Sequence, residues 1–112
     1  MFRYELEQGT CIADPGAALT LDSPHQFKSF VTDLLENQPI DRLIITFEQV
    51  NRIDSFGIGV IVGLFKAASE KDKPFAITNM SESHRKLFAM TGVDKVIDIF
   101  DSNADADAGL RG

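Results

Sequence analysis

Between residues 43 and 68 the hydrophobic pattern changes from continuous to helical, and the change falls on the tetrapeptide Asp54-Ser55-Phe56-Gly57. Leu43-Ile44-Ile45-Thr46-Phe47 is apolar without alternation, the pattern of a strand covered on both faces of its sheet. Downstream, Ile58, Ile61, Val62, Phe65 and Ala68 recur at i, i+3, i+4 and i+7, so they share one helical face turned toward a core. A buried strand that feeds an amphipathic helix through a short polar junction requires a layered arrangement with the helix lying on the sheet. Ser55 then stands at a helix N-terminus.

That position has particular chemistry. The first backbone N–H groups of a helix have no internal acceptor, and the macrodipole favours negative charge there. A phosphate on Ser55 would add about 1.5 to 2 negative charges and three acceptor oxygens without requiring the domain to unfold. Asp54 and Ser55 are also ordinary N-cap residues, so a purely capping role fits the same residues. Gly57, Gly59 and Gly63 carry a further signal, because each glycine inside a helix costs roughly 1 kcal/mol relative to alanine. Gly57 and Gly59 strip side chains from the turn around Ser55, and for Gly57 the expected gain is access to the hydroxyl and the amides. Gly63 fits close helix packing on the sheet as well as it fits access.

The remaining pattern supplies a scaffold. Residues 2–6 and 10–13 read as a hairpin about Gln8-Gly9, at or near a sheet edge. Ser23-Pro24-His25-Gln26 offers an N-cap, a first-turn proline and a capping-box glutamine to a helix whose apolar face is Phe27, Phe30, Val31, Leu34 and Leu35. Asn37 and Pro39 stop that helix. A strand follows at 75–78, Ser81 or Ser83 caps a third helix that Gly92 ends, and 96–100 reads as a last strand. Strands alternate with helices, which makes the chain mixed α/β. Its 112 residues, 44% hydrophobic, suffice for one core, so a single domain is expected over 1–100. Residues 101–112 are rich in Asp, Ala, Asn and Gly with almost no apolar period, and a frayed or disordered acidic tail is expected.

Composition excludes several functions. A net charge of −6 argues against nucleic-acid binding, which needs a concentrated basic surface. The single cysteine, Cys11, cannot form an internal disulfide and sits in a short apolar run as a buried thiol, consistent with a reducing, cytoplasmic setting. No segment reads as a signal peptide or as the roughly 18 apolar residues of a spanning helix, so no membrane insertion is expected. His25 and His84 are far apart and expected at the surface, Ser55 lacks the Gly-x-Ser-x-Gly elbow of a serine hydrolase, and no triad can be assembled. No metal ligand set, phosphate loop or dinucleotide fingerprint is present, so no cofactor is expected and the chain reads as a non-enzyme.

Asp54-Ser55-Phe56-Gly57-Ile58-Gly59 resembles the Asp-Ser-x-Gly-(Leu/Ile)-Gly element that the STAS domain of bacterial anti-sigma factor antagonists carries at this same strand-to-helix junction. Phe88-Ala89-Met90-Thr91-Gly92-Val93 is similar to the family's (Leu/Phe)-x-(Met/Leu)-(Thr/Ser)-Gly-(Leu/Val) stretch, and the resemblance runs over residues 17–100. It implies the STAS fold, a mixed central β-sheet of four to five strands with helices packed mainly on one face. It further implies a partner switch controlled by phosphorylation. Ser55 matches the serine modified by a kinase of the histidine-kinase-like ATPase type, often itself the anti-sigma factor. The unphosphorylated form binds, and a metal-dependent serine phosphatase restores it. Asp54 and Gly57 support the phosphosite, Asp54 by shaping the turn, by bonding or orienting the hydroxyl, or as a plain Asx-turn. Phe56, Ile58 and Gly59, with the turn Met90, Thr91 and Gly92, form the partner-binding face. Met90 either fills the core or touches the partner, with core filling the first expectation. Phe56, where the family has serine or threonine, either anchors a partner or tucks into the core. Ala17-Ala18-Leu19-Thr20 departs from the family's Gly-x-Leu-Asp, with Thr20 in place of the aspartate. The alternative within the family is a STAS subunit of a membrane lipid-transport ABC complex, acting as a non-catalytic regulatory partner.

Overall fold

The hairpin forms as expected. In the computed structural model, which describes residues 2–20 and 24–112, β1 (Arg3–Glu7) pairs antiparallel with β2 (Thr10–Asp14). Gln8 and Gly9 both take positive φ, at 50° and 82°, as the tight two-residue turn matched to strand twist requires. A side chain at Gly9 would strike the Asp41 carboxylate. The same close approach lets the Gly9 carbonyl accept from the amides of Asp41 and Arg42, at 2.7 and 3.0 Å.

Strand β2 then pairs parallel with β4 (Arg42–Thr46), β4 with β6 (Phe75–Thr78), and β6 with β7 (Asp98–Phe100). The sheet is therefore mixed, five strands in the order β1-β2-β4-β6-β7, with β1 at one edge. Beside it, β3 (Ala18–Leu19) and β5 (Arg52–Ile53) form a second, two-stranded parallel ladder. Nothing in the sequence marked these short strands, whose apolar runs are too brief to show a period.

Helices α1 (Pro24–Asn37), α2 (Ser55–Glu70) and α3 (Glu82–Met90) cover one face of the sheet. Alternation along the strands directs Cys11, Ala13, Leu43, Ile45, Phe47, Phe75 and Ile77 into that layer, where they meet Phe27, Val31, Ile61, Leu64 and Phe88. Phe47 and Phe88 pack edge to face at 5.9 Å. Ser81, one of the two serines expected to cap α3, does so, its Oγ accepting from the His84 amide at 3.2 Å. Gly92 takes φ +79° just beyond that helix, as a C-terminal glycine should. The cap expected from Ser23 lies outside the described residues. The last strand begins later than its apolar residues suggest. Val93–Lys95 form a 3-10 turn, Val96 is exposed, Ile97 is buried, and pairing starts at Asp98.

The acidic C-terminal segment is not frayed. Asn103–Arg111 form a fourth helix, α4, on the opposite face of the sheet. Ser102 caps it by accepting from the Asp105 amide at 3.1 Å, and Ala106 is completely buried against Ile44 and Ala76. Side-chain hydrogen bonds fix its first residue and its middle: Thr78 Oγ1 donates to Asn103 Oδ1, and Thr10 Oγ1 donates to Asp107 Oδ1 at 2.6 Å. The helix escapes a periodicity search because, Leu110 apart, the side it turns to the sheet is made of small residues. Ala106 fits the shallow surface over Ala76, and Gly109 leaves room for the Phe100 ring, whose Cζ would lie 2.7 Å from an added Cβ.

Candidate functional site

The chain from β4 reaches α2 through residues 47–54, and the β3 strand clamps this passage. Ala17 O accepts from the amides of Asn51 and Arg52, and Leu19 O accepts from the Asp54 amide at 3.2 Å. Asp54 is the N-cap of α2. Its backbone is extended, its Oδ1 accepts from the Gly57 amide at 3.0 Å, and its carbonyl accepts from the Ile58 amide at 3.0 Å. Ser55 is thus the first residue of the helix, and its side chain is exposed. Among the described residues no acceptor meets the amides of Ser55 and Phe56, the helix-end donors that an anion would use.

The glycines divide by role, and Gly57 corrects the expectation of access. It is buried, and a Cβ there would collide with the Leu19 carbonyl, coming within 2.8 Å of Leu19 C and 2.9 Å of Ile53 Cγ1. Gly57 is needed so that β3 can lie against the start of α2. Gly59 is exposed with nothing within 4 Å of an added Cβ, so it is the glycine that keeps the surface beside Ser55 open. Gly63 faces the Lys28 side chain, with Nζ 3.0 Å from an added Cβ. Phe56 stands 55% exposed rather than tucked into the core, while Ile58 points inward at 9% exposure. Ser55, Phe56 and Gly59 therefore share one open surface, and Thr20 follows Leu19 at its border, half-buried.

The turn at Met90, Thr91 and Gly92 is not at this end of the helix. Both α2 and α3 start at the carboxyl ends of strands and run back along the sheet, which carries the end of α3 away from Ser55. Thr91 and Gly92 line an apolar depression of about 190 Å³ with Val62, Phe65, Val93, Val96 and Ile97. Val62 lies seven residues after Ser55, roughly 10 Å along the helix axis. Met90 is 84% exposed, so it does not fill the core. His84, expected at the surface, is half-buried with its ring edge-on to Phe47 at 6.3 Å, and its Nδ1 finds no partner among the described residues.

The ionisations of Cys11 and Asp107 are shifted, both away from Ser55. Burial pushes the Cys11 thiol up to about 11, which makes it inert. Asp107 is held below the usual carboxylate range, first by the hydrogen bond from Thr10 and then by Arg111, with Arg42 adding attraction. No group of three potential metal ligands occurs among the described residues, and no helix of them is long and apolar enough to cross a membrane.

The STAS domain family model matches residues 2–106. A protein of Thermotoga maritima, provisionally named an anti-sigma factor antagonist, is 29% identical over 106 residues, spanning 95% of this chain and 94% of its own length. Its crystal structure superposes with a TM-score of 0.92 at 28% identity, covering 99% and 95% of the two chains. The anti-sigma-B factor antagonist of Bacillus subtilis is 35% identical over 69 residues, 62% of this chain and 61% of that protein. The Bacillus cell fate determinant SpoIIAA, solved in its phosphorylated form, shares the fold at TM-score 0.73 and 18% identity, covering 96% and 98%.

Proposed function

This chain belongs to the STAS domain family, and on that footing we propose that it is a phosphorylation-controlled interaction switch of the anti-sigma factor antagonist type, with Ser55 as the phosphoacceptor. The observation that carries the reading is the exposed Ser55 hydroxyl at the first residue of α2, beside the open surface of Phe56 and Gly59. Relatives named as anti-sigma factor antagonists support the class of partner, an anti-sigma factor.

In this reading the unphosphorylated face docks a partner through Phe56 and the backbone around Gly59, with Ile58 fixing the helix beneath. Phe56 supplies the apolar anchor, since a half-exposed aromatic gains most when a pocket desolvates it. The partner is an anti-sigma factor that is also a serine kinase of the histidine-kinase-like ATPase type. Transfer of the γ-phosphoryl group to Ser55 places a dianion next to Phe56. Burying that charge in an apolar contact costs more than the contact returns, so the complex dissociates. The fold tolerates the change, because Ser55 is exposed and the helix end favours negative charge. The Asp54 carboxylate is engaged by the Gly57 amide, which fixes the turn that carries Ser55. Removal by a metal-dependent serine phosphatase resets the switch. The protein itself performs no catalysis in this scheme. The distant turn at Met90 to Gly92 is a secondary contact, reached only by a partner that extends along α2.

The experiment is capture of ATPases from source-cell extract on immobilised protein. Wild type and Ser55→Ala should retain a kinase of this class, and Ser55→Glu should not. Undiminished capture by Ser55→Glu, with its fold intact by circular dichroism, would remove the switch.

A further inference from the structure

The edge strand β1 carries a pattern that fits a second copy of itself. It is the outermost strand, and no strand among the described residues pairs with its free side. Because Glu7 and Thr10 flank a two-residue turn, they form a hydrogen-bonded pair, and so do Glu5 with Ile12 and Arg3 with Asp14. The backbone N–H and C=O groups of Leu6, Tyr4 and Phe2 therefore point outward from the sheet.

Side chains alternate along the same strand. Phe2, Tyr4 and Leu6 lie on the α1 side, where Phe2 packs on Phe27 at 5.2 Å and Tyr4 meets Phe30 at 6.0 Å. Tyr4 nonetheless remains 42% exposed at the edge. Arg3, Glu5 and Glu7 are exposed on the other side, which α4 leaves open. Among the described residues Arg3 has one long ion pair, with Asp14 at 4.0 Å, and its side chain is 71% exposed.

We propose that two copies associate through antiparallel β1–β1 pairing about a two-fold axis at Tyr4. In that register Tyr4 faces the partner's Tyr4 and Phe2 faces the partner's Leu6, all with outward-pointing backbone groups, so the ladder closes and the aromatic layer over α1 continues across the axis. Arg3 faces the partner's Glu5, and by symmetry Glu5 faces the partner's Arg3. These are non-hydrogen-bonded positions, where side chains approach most closely.

The charge order selects this register. Centring on Glu5 sets Arg3 against the partner's Glu7 but also puts the two Glu5 carboxylates against each other on the axis, and centring on Leu6 sets Glu5 against the partner's Glu7, so of the three registers the one centred on Tyr4 makes opposite-charge pairs with no like-charge contact. Charged residues on an edge strand commonly prevent such pairing, but here their order is self-complementary. The contact is small, about five residues from each copy, and belongs with weak, reversible interfaces. It leaves Ser55 outside the interface and does not depend on the role assigned to that residue.

The test is sedimentation equilibrium of the full chain from micromolar to millimolar concentration. A monomer–dimer equilibrium is expected. Arg3→Glu or Glu5→Arg alone should weaken it about tenfold or more, since two symmetric pairs turn from attraction to repulsion. The double variant Arg3→Glu/Glu5→Arg should restore it, and Glu7→Arg should change it by less than about threefold. A monomer at every concentration would overturn the proposal. So would failure of the folded double variant to dimerise, or equal damage from Glu7→Arg and Glu5→Arg.

Discussion

Replacing Gly57 by alanine should destabilise the protein even though alanine is the better helix former. On propensity alone the change gains up to about 1 kcal/mol. The added methyl, however, meets backbone, with Leu19 C at 2.8 Å, and Ile53 Cγ1 at 2.9 Å. The β3 strand must move away, which costs about 1–3 kcal/mol as overpacking. Its retreat also breaks the hydrogen bond from the Asp54 amide to Leu19 O, about 1 kcal/mol more. The net loss is about 1–3 kcal/mol, which lowers Tm by roughly 4–12 °C in a domain of this size. Gly59→Ala is the matched control, because nothing lies within 4 Å of its Cβ. It should stabilise by about 0.5–1 kcal/mol and raise Tm by roughly 2–4 °C. Thermal unfolding followed by circular dichroism measures both. A Gly57→Ala protein as stable as wild type, or more so, would refute the claim that this glycine exists to let β3 touch the helix.

Asp54→Ala should cost about 1 kcal/mol, with Asp54→Asn losing less than half of that because asparagine caps equally well; urea unfolding of the two variants decides it. Asp107 has a folded pKa below its ordinary value of 3.8, so its contribution is present above about pH 5 and declines as pH falls through the lowered value. The stability advantage of wild type over Asp107→Asn in urea titrations should therefore shrink steadily below pH 4; an advantage that grows in acid would contradict the placement of α4. Cys11, with its thiol pushed up to about 11, should resist alkylation at pH 8 in the native protein and react fully once unfolded in urea, as mass spectrometry of the labelled chain reports.

The parts of the fold that the sequence made legible are those built on large apolar side chains. Leu43 to Phe47 is a run buried on both faces, and Phe27, Val31, Leu34 and Leu35 fall on one side of α1, so period alone identifies both. The C-terminal helix was not legible for the converse reason. Its contact with the sheet is made through Ala106, the gap over Gly109 and a single large apolar residue, Leu110, too few to show a period, and its position is held by Ser102, Asn103 and Asp107, polar residues that read as loop. In the site, the junction and the N-cap role of Asp54 follow from residue type. The purpose of Gly57 does not, because its neighbour Leu19 is 38 positions away in the chain and belongs to a strand of only two residues. The same blindness to long-range placement grouped Met90 to Gly92 with Ser55. Motif order gives separation along the chain, whereas direction along the sheet requires knowing that α2 and α3 both run back from the strand ends.

The central claim is that Ser55 is the residue whose charge state changes. Incubating the protein with extract of its source cells and ATP, then mapping phosphate by mass spectrometry of the intact chain and its peptides, tests this most directly. The account predicts a single phosphate on Ser55, absent from Ser55→Ala. Phosphate on another residue, or none in an extract that phosphorylates other proteins, would contradict it.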